Sequence, residues 1–345
     1  MSSKTLRAVA TVVAIAFSAL PAAAPVDAQT REARVAAISS LTVRARSIDG
    51  FDPADKAKTR FGALEFRSGL ILTSSFKGFG GLSAIRLGAD GKSFIALSDK
   101  GDWFTGTIVY DGKIMTGLTD VKSAPLLGDD GKPIQAKGWF DSESLAFDGT
   151  TAYVGLERVN RILRFDFSRG GILARGDVVA TPPAIARLPN NKGLEGLAYV
   201  PKGMPLAGTL IALSERGLDK SGNLQGFLIG GPDPGQFTVR RSADFDISDC
   251  ALLPSGELLL LERKFSITTG LFIRIRRIAL VSLKPGAVVD GPVIFEADLG
   301  NEVDNMEGLD VHRDAGGDLV LTMISDDNFS MLQRTLLLQF RLAVP

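Results

Sequence analysis

The chain has 345 residues, 39 basic and 39 acidic side chains, one histidine and one cysteine. A balanced charge points away from nucleic acid and anionic membrane surfaces as partners. One histidine, with no G-x-S-x-G, argues against a Ser-His-Asp esterase, histidine-based phosphatase chemistry and His/Cys zinc sites.

In chain order, Lys4 and Arg7 precede an uncharged, mostly apolar stretch, Ala8 to Leu20, and Val26-Asp27-Ala28 is a small-x-small site. This predicts a secretory signal peptide over 1–28, cut after Ala28, and a periplasmic or secreted protein. No later stretch reaches 18 uncharged apolar residues, so no membrane span is predicted in the mature chain. Residues 29–40 read as an N-terminal arm and 41–345 as a single domain.

That domain reads as all-β. Short runs ("FGALEFRSGLILTS", "SFIALSD", "TAYVGLE", "GTLIALSE", "ELLLLER", "DLVLTMIS") are separated by hairpin-turn signals such as "YDGK", "GDDGK" and "FDGTT". Four strands open on an acid followed by a small and an apolar residue, at Glu143, Glu195, Asp249 and Glu307. A fifth copy, "FGGLSAI", carries Gly80 where the acid belongs. Intervals of 52 to 63 residues, each holding several short strands, indicate a β-propeller of four-stranded antiparallel blades. The 317 residues after the first 28, at about 53 per blade, suggest six blades, with five as the alternative. "RTLLLQFRLAVP" is expected to close the ring by pairing with a strand from residues 41–73.

Each copy ends its second strand on another acid: Asp99, Glu157, Glu215, Glu262 and Asp326. A base follows four of them: Lys100, Arg158, Arg216 and Arg263. The start of one hairpin strand lies beside the end of the next, which puts both acid sets on one rim of a central channel. Such a rim suits oxygen chemistry with a hard cation, Ca²⁺. Glu143, Glu195 and Glu307 are the candidate catalytic carboxylates. Lys100, Arg158, Arg216 and Arg263 are the candidate substrate-binding bases. Asp99, Glu215, Asp326 and Asp327 are the candidate metal ligands, Asp326-Asp327 because no base follows them. The competing reading makes the acid–arginine pairs ties between blades. Trp103 and Trp139-Phe140 pack or offer a ring-binding surface, His312 reads as a surface residue, and Cys250 as a buried structural thiol.

The stretches "GGLSAI", "DSESLAF", "GLEGLAY", "LLPSGELLLLERKFS", "NMEGLDV" and "ISDDNFS…QRTLLLQF", from about Phe79 to Phe340, resemble the bacterial phytase-like family labelled "esterase-like activity of phytase". The resemblance implies a secreted propeller that hydrolyses an ester or phosphate ester, and β-propeller phytases hold Ca²⁺ around an acidic channel. The expectation is a monomeric, Ca²⁺-dependent hydrolase of a small anionic ester. The rivals are a non-catalytic binding or scaffold propeller and a Ca²⁺-dependent lactonase-like hydrolase.

Overall fold

Leu258, Leu259, Leu260 and Leu261 are consecutive and all buried, so their strand is covered on both faces. Sheets stacked face to face around an axis produce that pattern. The computed structural model describes residues 36–343, and the expected signal peptide lies outside them.

Five sheets form the blades, each running from the channel outwards, antiparallel except where the edge strands of blades II and III pair in parallel. Blade I comprises Leu82–Leu87, Ser93–Ser98, Asp102–Asp111 and Ile114–Pro125, with Ser39–Ser40 on its edge. Blade II comprises Ser142–Asp148, Thr151–Leu156, Arg161–Asp166 and Arg175–Val178, edged by Leu127–Gly128. Blade III comprises Leu194–Tyr199, Thr209–Leu218, Leu224–Gly230 and Gly235–Val239, edged by Val288–Val289. Blade IV comprises Asp246–Leu253, Glu257–Ser266, Gly270–Ala279 and Val293–Asp298. Blade V joins Asn305–Arg313, Leu319–Asp326 and Thr335–Leu342 to Leu64–Ser74 and Val43–Ile48.

The expectation of six blades is corrected to five. Thr335–Leu342 pairs with Leu64–Ser74, from Thr335 opposite Leu72 to Leu342 opposite Leu64. The N-terminal strands complete blade V as expected, and because that blade draws on both ends of the described chain it holds more than one period of residues, so dividing length by period overcounts the blades. This pairing leaves no open seam at the ring closure. Each pair of neighbouring blades encloses its own apolar layer, five in all among the described residues. Trp103 is wholly buried in the layer between blades I and II, edge-on to Phe165 and Phe167, so it packs and offers no ring-binding surface.

All five inner strands carry a β-bulge at the same place. The pairing register skips Ser83, Glu143, Glu195, Ser248 and Glu307. A bulge puts an extra residue into one strand, bends it and re-aims the side chain. The residue after the bulge is small in four blades: Ala84, Ser144, Gly196 and Gly308. A Cβ on Gly308 would come within 3.0 Å of the backbone nitrogen of Ile85 in blade I, so glycine there lets inner strands crowd the axis.

Among the described residues, Arg86 reaches across the channel. Arg86 gives two hydrogen bonds to Asp249, of 2.8 and 3.0 Å. It also donates to the carbonyls of Ile85, Leu197, Cys250 and Leu309. Those four carbonyls all lie two residues beyond a bulge, so the guanidinium gathers one level of four blades.

Candidate active site at the acidic mouth

The bulges set up the site. Ser83 and Ser248 donate to the main-chain carbonyls of Ser142 and Met306 on the next blade. Glu143, Glu195 and Glu307 instead line a cavity of about 290 Å³ at that mouth of the channel. A second tier comes from the ends of the adjoining strands: Asp99, Glu157, Glu215, Arg263 and Asp326. The main-chain N–H groups of Asp99, Glu157 and Glu215 donate to Gly81, Asp141 and Gly193 just ahead of each inner strand. Arg263 and Asp326 lie opposite Asp246 and Asn305, the corresponding positions in blades IV and V.

Three expected alignments shift. In blade I the bulge position belongs to Ser83, three residues after Gly80. Asp249 is not the counterpart of the three glutamates: Ser248 occupies that bulge, and Asp249 faces Arg86 deeper in the channel. In blade IV the second-tier position belongs to Arg263. Glu262, one residue earlier, is fully buried and accepts from Arg274 and Arg276, each through Nε at 2.7 Å.

Eight carboxylates and three bases line the cavity: Asp99, Asp141, Glu143, Glu157, Glu195, Glu215, Glu307 and Asp326 against Arg158, Lys192 and Arg263. Burial, reinforced by Glu307 and Glu157, pushes the Glu143 carboxyl well above its ordinary range. Burial, Glu143 and Glu215 do the same to Glu195, while Arg263 opposes the rise. Asp326 is pushed up to about 8, by burial first and then by Glu307. Asp99 rises to about 6, chiefly by burial. Like charges held together out of water raise one another's affinity for protons or for a cation. Arg263 is the main internal offset, contacting Glu307, Asn305 and Glu215. Lys192 reaches Glu215 at 2.8 Å.

Carboxylate oxygens of Glu157, Glu195 and Glu215 lie within 4.8 Å of one another. Glu195 Oε2 is buried with no hydrogen-bond partner. A donor set made only of oxygens, one of them orphaned, fits a hard divalent cation such as Ca²⁺.

Of the residues expected to act, Glu143, Glu195, Glu307, Asp99, Glu215, Asp326, Arg158 and Arg263 come together in this cavity, whereas Lys100, Arg216 and Asp327 do not line it. Arg216 turns to Asp246 of blade IV, with Nε at 2.7 Å. Lys100 lies over the ring of Phe329. Asp327 accepts from the backbone of Gly81 and Phe329 and from the Thr335 hydroxyl, which holds it as a clasp for its loop. Asp327 therefore stands outside the cavity that Asp326 lines, and the carboxylate oxygens grouped within it are those of Glu157, Glu195 and Glu215. Sequence reasoning missed Asp141, Asn191 and Lys192 in the cavity wall. Asp141 left no signal in the sequence, since its left-handed backbone (φ 58°), matching that of Gly81 (φ 59°) just ahead of blade I's inner strand, shows only in the fold. Lys192 and Asn191 left none, because only the folded ring brings their loop to Glu215.

The family model for phytase-like proteins, described as "Esterase-like activity of phytase", matches residues 77–329. The chain belongs to this family. No curated protein matches it. Among solved structures it is similar to glutaminyl cyclase from Myxococcus xanthus, at 12% identity and a TM-score of 0.41, covering 77% of this chain and 92% of that one. It is also similar to the Pan2 WD40 domain from Neurospora crassa, at 14% identity and a TM-score of 0.38, covering 77% and 90%. At such scores neither carries anything over to this phytase-like chain. Among the described residues no helix is long and apolar enough to cross a membrane.

Proposed function

We propose that this phytase-like protein is a secreted or periplasmic, Ca²⁺-dependent hydrolase of a small anionic ester, a phosphate ester above all. The observation that carries the reading is the buried Glu157–Glu195–Glu215 trio with the orphaned Glu195 oxygen. Those three residues would hold the cation, and Asp99 and Asp326 line the same cavity. Ca²⁺ there supplies the positive charge that such a set of carboxylates needs before an anion can approach. Arg158 and Lys192 then orient the ester from the rim, and Arg263 binds it from below. Glu143 faces the same cavity with a raised proton affinity. It suits a group that holds or takes a proton at the reacting water or the leaving oxygen. Glu307, fixed by Arg263, keeps that cation in place.

One observation favours the scaffold reading: Arg216 reaches from blade III to Asp246 of blade IV, and Arg263 from blade IV to Glu307 of blade V. Both readings are separated by assaying the purified protein on phosphate monoesters, carboxylic esters and lactones, with Ca²⁺ and with chelator. Chelator-sensitive release of phosphate, lost in Glu143→Gln while Ca²⁺ binding persists, is expected. Chelator-induced loss of stability with no turnover on any substrate would establish the scaffold. Turnover of lactones alone would replace the substrate class.

A further inference from the structure

The channel has a second mouth that the acidic site does not use. Beyond Arg86, the far ends of the inner strands open into a cavity of about 610 Å³. Its wall is largely apolar, with Phe94, Phe147, Phe167, Tyr199, Ile172 and Leu252 among its lining. Three residues past each bulge stand Arg86, Ala146, Ala198, Ala251 and Asp310, one per blade. The three alanines leave the room that the cavity occupies, and all five residues line it.

The charges at this level do not cancel. Arg86 is engaged by both oxygens of Asp249, which is wholly buried. Asp310 is a second carboxylate, and its Oδ2 accepts from the Leu87 N–H at 2.8 Å. No salt bridge to Asp310 forms among the described residues, so the three groups together carry one net negative charge when ionised. A cavity of this volume is in the range that encloses a small ligand, with a few polar groups fixing its orientation. Aromatic rings lining the same cavity as a carboxylate that makes no salt bridge are complementary to an organic cation, through the charge and through the ring faces.

We propose that this second mouth binds a small aryl- or alkylammonium, its apolar body against the aromatic wall and its cationic group at Asp310. The site is independent of the acidic mouth and of the hydrolytic reading, being separated from it by Arg86 and Asp249.

Calorimetric titration of phenethylammonium and of neutral 2-phenylethanol into the Ca²⁺-saturated protein tests it. Wild type is expected to bind the ammonium at least tenfold more tightly than the alcohol. Asp310→Asn should bring the two to similar affinity. Ala198→Leu, which fills the cavity, should weaken both at least tenfold. Ala251→Leu serves the same purpose if Ala198→Leu does not fold. Equal affinity of wild type for the two probes, or no binding of either at millimolar concentration, would overturn the proposal. So would a preference that survives Asp310→Asn. Ammonium binding that survives the cavity-filling variant would place it at the acidic mouth and equally refute this site.

Discussion

Arg86→Met puts the channel's cross-brace to a severe test. The change keeps most of the apolar stem but deletes every hydrogen bond to Asp249 and to the four carbonyls. Removing one partner of a buried ion pair costs about 3–5 kcal/mol, because the other charge is left uncompensated. Two features hold the loss near the lower end of that range. Asp249 keeps the N–H groups of Leu309 and Cys250, at 2.8 and 2.7 Å, and water from the neighbouring cavity can reach the freed carbonyls. Asp249 can also take up a proton, an escape that costs about 1.4 kcal/mol for each pH unit between its pKa and the buffer. The deficit should therefore be smaller at pH 5 than at pH 8. In a chain of this size, a loss of about 3 kcal/mol lowers the melting temperature by roughly 4–5 °C. Arg86→Met/Asp249→Ala removes both charges and should recover most of the loss, since apolar replacement of a buried pair is often neutral or better. Urea unfolding with unchanged m-values supplies the free energies. A single-variant loss below about 1 kcal/mol, or a double variant as unstable as two independent lesions, would refute this reasoning.

Three further outcomes are expected. Asp326 has a folded-state pKa of about 8, above its ordinary 3.8, so ionisation disfavours the folded state between those values. In chelator, Asp326→Asn should thus gain stability relative to wild type as pH rises from 4 to 8, by up to about 1.4 kcal/mol per unit; a pH-independent difference in urea unfolding would contradict the charge repulsion. Phe51 is fully buried, with ring centroids 4.8 Å from Phe61 and 5.0 Å from Phe340, where the N-terminal segment meets blade V. Phe51→Ala should cost about 3–5 kcal/mol in the same assay, and a near-neutral result would mean that this junction contributes little. Cys250 is buried, and burial and Asp249 raise its pKa, so a thiol reagent should react only after unfolding; rapid reaction in native buffer would show the inner strand of blade IV to be open.

Much of this was legible in the chain because propeller blades repeat their chemistry. The strands after Glu143, Glu195 and Glu307 were found from the acid–small–apolar opening alone, and the C-terminal closure from a strand lacking a partner. The misalignments share one cause. Blades I and IV place serine at the bulge, Ser83 and Ser248, so an alignment keyed on acid slid to Gly80 and Asp249. The similarity of "LLERK" to "LSERG" likewise aligned Glu262 with Glu215, although strand pairing gives that position to Arg263. A bulge is a property of two paired strands, and one strand's sequence does not display it. Arg86 was invisible for a related reason: it looks like an ordinary strand arginine until three other inner strands supply its acceptors.

Calorimetric titration of Ca²⁺ into chelator-treated wild type and Glu195→Gln bears most directly on the acidic mouth. Saturable binding by wild type, weakened at least tenfold in a variant that remains folded, is the expected result. An absence of binding in wild type, or equal affinity in both proteins, would contradict the assignment of the Glu157–Glu195–Glu215 trio as a cation site.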